Sequence, residues 1–394
     1  MRLNSLKVTD FRNLESAELT PSPVLTVICG PNGQGKTNLL ESIWLLTGGK
    51  SFRGSKDAEL IRRGAPFAAL EAEFTAGDRD QTLRLTVGGR ETKRPGRTAR
   101  LNGVDRGRAA SVAGTFTAVV FDPNHLSLVK GGPEGRRRFL DAALCQLYPG
   151  YLTALRRYAR TVAQKNALLK AYDITPGAGM MLDTFNEALS VCGADLMARR
   201  AAYLERLAPA AANNYRDISS GAETLSVRYQ PCCDPDPAAL ARKLEEVRGA
   251  ELRAGFCLAG PHREDLEIDI DGQPGRIYGS QGQQRSAVLS LKLAEASTAG
   301  EILGEHPVML LDDVLSELDD SRQAYLLTRI EDKQTFVTTC DSAAFARTNG
   351  KLVFVQGGRT SETPFDGTAV PAAMAARGTE TGETAQAGQN NEGA

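Results

Sequence analysis

The chain has 394 residues, of which 41% are hydrophobic and 24% charged, with a formal charge of −1 at pH 7; this is ordinary for a soluble globular protein, and the length suits two domains or one domain carrying a large insertion. No run of 18 apolar residues is present and no apolar stretch near Met1 reads as a signal peptide, so neither a membrane-spanning helix nor export is expected. The seven cysteines are odd in number and lack metal-ligand spacing, which suits reduced thiols in the cytoplasm rather than disulfides or zinc.

In chain order, residues 3–8 (LNSLKV) alternate apolar and polar side chains and predict a half-buried strand. Residues 24–29 (VLTVIC) are a mostly apolar run that stops at a glycine, as a buried strand does. Residues 30–37 (GPNGQGKT) follow at once, and residues 38–46 then take helical spacing up to Gly48 and Gly49. Residues 88–108 carry seven basic and two acidic side chains within a basic half: residues 1–174 hold 27 Lys and Arg against 16 Asp and Glu, and residues 175–394 hold 20 against 32. That asymmetry suits either a polyanion partner or a merely solvated basic surface.

Residues 116–121 give a further buried-strand pattern. From about 125 the character changes, and helical periodicity fits residues 139–147, 151–172, 182–216 and 237–253, without sustained heptads. Ser280 opens a second helical pattern through residues 287–296, and residues 308–311, 335–339 and 352–355 complete the strand candidates. Strands alternating with helices predict an α/β fold with a mostly parallel sheet. Residues 1–124 and 255–356 are then two parts of one lobe, 125–254 an inserted helical lobe, and 357–394 a disordered tail.

Residues 30–37 match G-x-x-x-x-G-K-[ST] between a predicted strand and a predicted helix. Gly30, Gly33 and Gly35 let backbone N–H groups curl around phosphates, Asn32 lies within the loop, and the helix that comes next presents its positive end, including Asn38, to the same anion. Lys36 reaches the β- and γ-phosphates of ATP, and Thr37 ligates Mg²⁺. Residues 308–313 (VMLLDD) are an apolar strand ending in two carboxylates. Asp312 suits the metal and Asp313 the attacking water, the alternative being an N-cap pair. Residues 280–285 (SQGQQR) have the form of a helix N-terminus that meets a phosphate or merely caps a surface helix. His262 and Arg263, after Gly260 and Pro261, meet a phosphate, brace two lobes or are solvated. Arg136, Arg137, Arg156, Arg157 and Arg160 suit the phosphate backbone of DNA, a salt-bridged helix surface being the alternative. Trp44 lies on an apolar face and reads as core.

A P-loop, a long insertion, SQGQQR and then LLDDVLSELD together resemble the ABC-type ATPases of the SMC group, and within it the RecF family of bacterial DNA replication and repair proteins. The resemblance covers nearly all of residues 1–355 and is carried also by DFRNL from Asp10, by the stretches from Pro123 to Pro133 and from Arg136 to Asp141, and by GPHREDL from Gly260. It implies an ABC-type P-loop ATPase head, with Lys36 and Thr37 in the Walker A motif and Asp312 and Asp313 in Walker B. Ser280, Gly282 and Gln283 would be the signature that caps a nucleotide held by a second subunit, residues 316–319 a D-loop, and Arg12 and Asn13 neighbours of the nucleotide. It further implies an ATP-dependent homodimer that binds duplex DNA at single-strand gaps, works with RecR and RecO, and helps load the RecA recombinase in repair, replication and the SOS response. Three features depart from the general pattern, though Asp313 fits the RecF one. Asn124 stands where an acid is usual, Asp313 replaces the glutamate of most ABC ATPases and suggests slow hydrolysis, and Thr338, Thr339 and Cys340 stand where a switch histidine is expected; no Q-loop glutamine is identifiable. A transporter ATPase would lack so large an insertion, and a nucleotide-gated scaffold in which hydrolysis is incidental is the remaining alternative.

Overall fold

The computed structural model describes residues 1–89, 91–341 and 350–365. Two six-stranded sheets and one small sheet carry the fold. The nucleotide-side sheet runs in the order Arg359–Ser361, Lys351–Gln356, Leu25–Cys29, Thr335–Thr339, Val308–Asp312, Ala118–Phe121, parallel except for its first pair. Its inner strands are apolar on both faces, as a covered parallel sheet requires. Leu25–Cys29 divides its side chains accordingly: Ile28 enters one core, Val27 and Cys29 another. Because these strands are parallel, their C-terminal ends meet along one rim, where open α/β sheets bind ligands.

The strand at residues 3–8 does not join that sheet. Arg2–Phe11 lies in an antiparallel sheet of order Leu14–Leu19, Arg2–Phe11, Phe67–Ala76, Arg79–Gly88, Gly96–Leu101, Val104–Arg108. A mostly parallel sheet is therefore half of the architecture. The antiparallel half arises where alternation such as Leu83, Leu85, Val87 buries one face and leaves Arg84 outside.

The P-loop helix Lys36–Leu45 fills the space between the two large sheets, with Leu39, Leu40 and Ile43 fully buried and Trp44 in the same core. The helical lobe is built from Pro133–Leu147, Tyr151–Lys170 and the 41-residue helix Ala178–Ile218. The helical stretch at 237–253 is two helices, Pro237–Glu246 and Arg248–Ala254. Helix Gln281–Leu303 is wedged between the lobe and the nucleotide sheet: Leu289 and Leu293 face the sheet, Ala287 and Leu291 the lobe. Burial on both sides is why it lacks a polar stripe.

Two boundaries move. Leu225–Gln230, inside the stretch read as helical, is a strand whose partner Asp265–Ile270 lies past residue 254, so one small sheet ties the insertion to the second part of the α/β lobe. Strand Arg359–Ser361 pairs back onto Lys351–Gln356, so the tail read from 357 begins with ordered pairing; residues 366–394 lie outside the described residues.

Candidate nucleotide-binding site

The P-loop leaves the C-terminal end of Leu25–Cys29 and runs into helix Lys36–Leu45, with Gly35 at the N-cap in a left-handed conformation (φ 119°). A Cβ at Gly35 would stand 2.8 Å from the Leu14 side chain and 2.9 Å from Asn13 Oδ1, and one at Gly30 would run into the Val355 carbonyl, so both positions require glycine. Lys36 is buried; its ammonium donates to the Gly30 carbonyl at 2.7 Å and the Pro31 carbonyl at 3.1 Å, and lies 3.3 Å from Cys340 Sγ. The cation is thus held inside the curl of the loop, where phosphate oxygens can take over from carbonyls.

Asp312 reaches this site from the neighbouring strand end. Its Oδ1 accepts from Thr37 Oγ1 at 2.8 Å and from Thr338 Oγ1 at 2.9 Å. Burial raises its pKa above the ordinary carboxylate value, and the two hydroxyls pull the other way. Asp313 comes next with φ 51°, a conformation costly for a non-glycine residue; it is exposed, and its N–H donates to Thr338 Oγ1 at 2.9 Å. The strand thereby turns sharply, separating the buried carboxylate from the exposed one.

Asn13 and Asn38 form one rim of the loop. Asn13 Nδ2 donates to the Gly33 carbonyl at 3.1 Å, and Asn38 Nδ2 donates to Asn13 Oδ1 at 2.7 Å. Asn32 accepts from Cys340 Sγ at 2.9 Å, so the cysteine sits on the rim of the loop. Arg12 is not presented to the loop. Its guanidinium clamps the fully buried Glu41 carboxylate at 2.8 and 2.9 Å and donates to Ser55 Oγ at 2.7 Å, because Glu41 lies on the inner face of the P-loop helix and needs a counter-charge.

Ser280 caps helix Gln281–Leu303 in a reciprocal box: its Oγ accepts from the Gln283 N–H at 3.2 Å and its N–H donates to Gln283 Oε1 at 2.8 Å. Gln283 also donates to Glu223, Gln284 to the Gly275 and Gly279 carbonyls, and Arg322 to the Gly282 carbonyl. Among the described residues none of these bonds reaches residues 30–37, and Ser280 faces solvent. Ser316 Oγ donates to the Asp313 carbonyl at 2.8 Å, and the Arg285–Glu317 pair at 2.6 Å ties helix Gln281–Leu303 to the loop after Asp313.

Three contributors were missed by sequence reasoning. Thr338 is one. Arg53 donates to Asn38 Oδ1 at 2.9 Å and acts electrostatically on Asp312. Asp122, 6% exposed at the end of Ala118–Phe121, is the third; an apolar strand closing on an acid, as in residues 308–312, is the signal that could have found it.

The five arginines read as DNA contacts divide. Arg136 is buried, held by Asp265 at 2.6 and 2.7 Å and donating to the Leu128 and Gly131 carbonyls, so it is a structural clamp. Arg137 donates to the Glu264 carbonyl at 2.7 Å. Arg156, Arg157 and Arg160 are exposed, and their guanidinium groups have no partner among the described residues. His262 is a brace: its Nδ1 meets Tyr158 Oη at 2.7 Å and burial lowers its pKa to about 4. Arg263 stacks on Phe256 and donates to the Cys257 carbonyl at 3.2 Å.

Residues 2–361 match the model of the RecF/RecN/SMC N-terminal domain family. The chain is 39% identical over 354 residues to the DNA replication and repair protein RecF of Heliobacterium modesticaldum, covering 88% of this chain and 94% of that protein. It is 39% identical over 349 residues to RecF of Staphylococcus aureus, covering 86% and 93%. Among solved structures, the recombination mediator protein RecF of the RecFOR pathway in its ATP form matches with TM-score 0.85 at 32% identity over 92% of this chain and 98% of that one. An Smc head bound to the C-terminal winged-helix domain of ScpA matches with TM-score 0.53 at 17% identity, which speaks to the fold alone.

Proposed function

The chain belongs to the RecF family, and on that premise we propose that it is an ATP-dependent DNA-binding clamp of recombinational repair and replication restart. One observation carries the ATP reading: Thr37 and Asp312, 275 positions apart, meet at 2.8 Å beside the buried Lys36 ammonium. The RecF neighbours with ATP and an ATP analogue support the same ligand. The hydroxyl of Thr37 and the carboxylate of Asp312 are hard oxygen donors and fit Mg²⁺. When bound, the ion neutralises phosphate charge. Lys36 holds the β- and γ-phosphates, Asn32, Asn13 and Asn38 line the rim, and Asp313 orients the attacking water. Its short side chain on a strained turn favours slow turnover.

Among the described residues Ser280, Gly282 and Gln283 make no bond to their own P-loop, and in this reading they close the nucleotide of a second copy. ATP joins two heads because both supply groups to its γ-phosphate, and hydrolysis removes the shared anion and loosens them. Arg156, Arg157 and Arg160 offer unpaired charge to the DNA backbone, and Arg136 does not. The neighbours are named for the RecFOR pathway, which supports RecR and RecO as partners. Duplex beside a single-strand gap as the DNA, loading of RecA as the outcome and the cytoplasm as the place rest on the family resemblance alone.

ATP hydrolysis per subunit, measured against protein concentration with and without gapped duplex, tests this. We expect a rate that climbs with both and vanishes in Lys36→Met. A flat rate indifferent to DNA would mean that each chain hydrolyses alone, and the shared site built on Ser280 would fall.

A further inference from the structure

Strands Ala118–Phe121 and Val308–Asp312 run parallel with Phe121 opposite Leu311. The next residues in register are Asp122 and Asp312. Asp122 keeps an extended backbone (φ −136°, ψ 142°), so the alternation of faces continues through it. Val120 and Leu310 enter the core around the P-loop helix, Phe121 and Leu311 the opposite core, and the two aspartates return to the side where that helix begins. Parallel strands lie roughly 4.8 Å apart, and both aspartates are 6% exposed as residues.

Two neighbouring buried carboxylates repel, and each is raised above its ordinary pKa chiefly by burial. Asp122 has a structural task, since its Oδ1 accepts the Asn124 N–H at 2.6 Å to cap a turn. A serine or asparagine caps equally well without charge. Arg53 approaches from the rim but is exposed and already bonded to Asn38. Lys292 lies over the Phe139 and Phe121 rings and is paired with Glu295.

We propose that Asp122 is a further positioning residue of the nucleotide site, the second buried carboxylate that, beside Asp312, orders the water shell of the divalent cation arriving with ATP. The proposal rests on the ATP reading above. The full-length Asp122→Asn chain keeps an oxygen for the cap and loses the charge. Binding of a fluorescent ATP analogue is titrated with Mg²⁺ from an EDTA baseline. In EDTA the variant should bind at least as well as the wild type, and its Mg²⁺ midpoint should rise by roughly tenfold, the effect usual for outer-shell groups. Asp122→Ser, which also caps, should shift the midpoint likewise. An unchanged midpoint would overturn the proposal, and so would failure of both variants to fold without nucleotide, since the charge would then serve the fold alone. A wild type that binds no analogue, or binds it as Lys36→Met does, would instead remove the ATP reading.

Discussion

Two arginine groups of the helical lobe, twenty residues apart, look alike in sequence and do opposite things. Arg136 and Arg137 open helix Pro133–Leu147 and turn inward, where Asp265 and the Glu264 carbonyl claim them. Arg156, Arg157 and Arg160 sit on the outer face of helix Tyr151–Lys170, whose inner face carries Tyr158 against His262. The difference is one of facing: a guanidinium that meets buried acceptors becomes a clamp, and one that meets only water keeps its charge for a partner. The basic run at residues 88–108 repeats the division. Arg97 turns inward to Asp57 at 2.9 Å, and Arg94, though exposed, is neutralised by Asp105 at 2.6 Å, whereas Lys93, Arg100, Arg106 and Arg108 stay exposed with no ion pair among the described residues. Charge density in a sequence therefore overstates the charge available to a polyanion.

The sharpest way to break the comparison is Arg136→Ala. It strands the Asp265 carboxylate and two backbone carbonyls, and about 3 kcal/mol of stability should be lost, read as a lower urea midpoint at unchanged slope. An unaltered midpoint with weakened DNA binding would reverse the assignment. Replacing Arg156, Arg157 and Arg160 together by glutamine should do the converse. The unfolding free energy from urea titration should hold to within about 0.5 kcal/mol, while duplex affinity should fall by roughly thirtyfold and the slope of log K against log salt should shallow by about 3. A preserved salt slope would move the DNA surface elsewhere on the molecule.

The same distinction explains what could be read without coordinates. The P-loop and residues 308–313 are local: each motif lies between elements whose apolar period is visible within ten residues, so strand, turn and chemistry agree. The partners of Arg12 and Arg136 are not legible locally: Glu41 and Asp265, which claim them, lie 29 and 129 positions away, and nothing in the local pattern announces the pairing. Asp122 carries a local signal, an apolar strand closing on an acid, but its place beside Asp312 is set by strand order, which that signal does not announce. The antiparallel sheet stayed hidden because the last two strands on one side of it, Gly96–Leu101 and Val104–Arg108, are polar and little buried, which erases alternation.

The inner face of helix Tyr151–Lys170 gives the smallest of these effects and a test that leaves the outer arginines untouched. His262 is held neutral between Tyr158 Oη and the Cys257 carbonyl, with a pKa lowered from 6.5 to about 4 by burial. In the unfolded chain the imidazole recovers its ordinary value. Above pH 6.5 both states are neutral and the group has no effect on stability. Between 6.5 and 4 the unfolded state takes up the proton and the folded state does not, so stability falls as pH falls; below 4 both are protonated and the loss levels off. At pH 5.5 the loss amounts to about 1.4 kcal/mol from this residue. Melting curves at pH 7.5 and 5.5 should therefore separate the wild type from His262→Gln, which cannot titrate: the wild type should drop further over that interval, by an amount consistent with one proton. Equal drops would mean that His262 is already accessible to protons in the folded state, and the inward face would then be as open as the outward one.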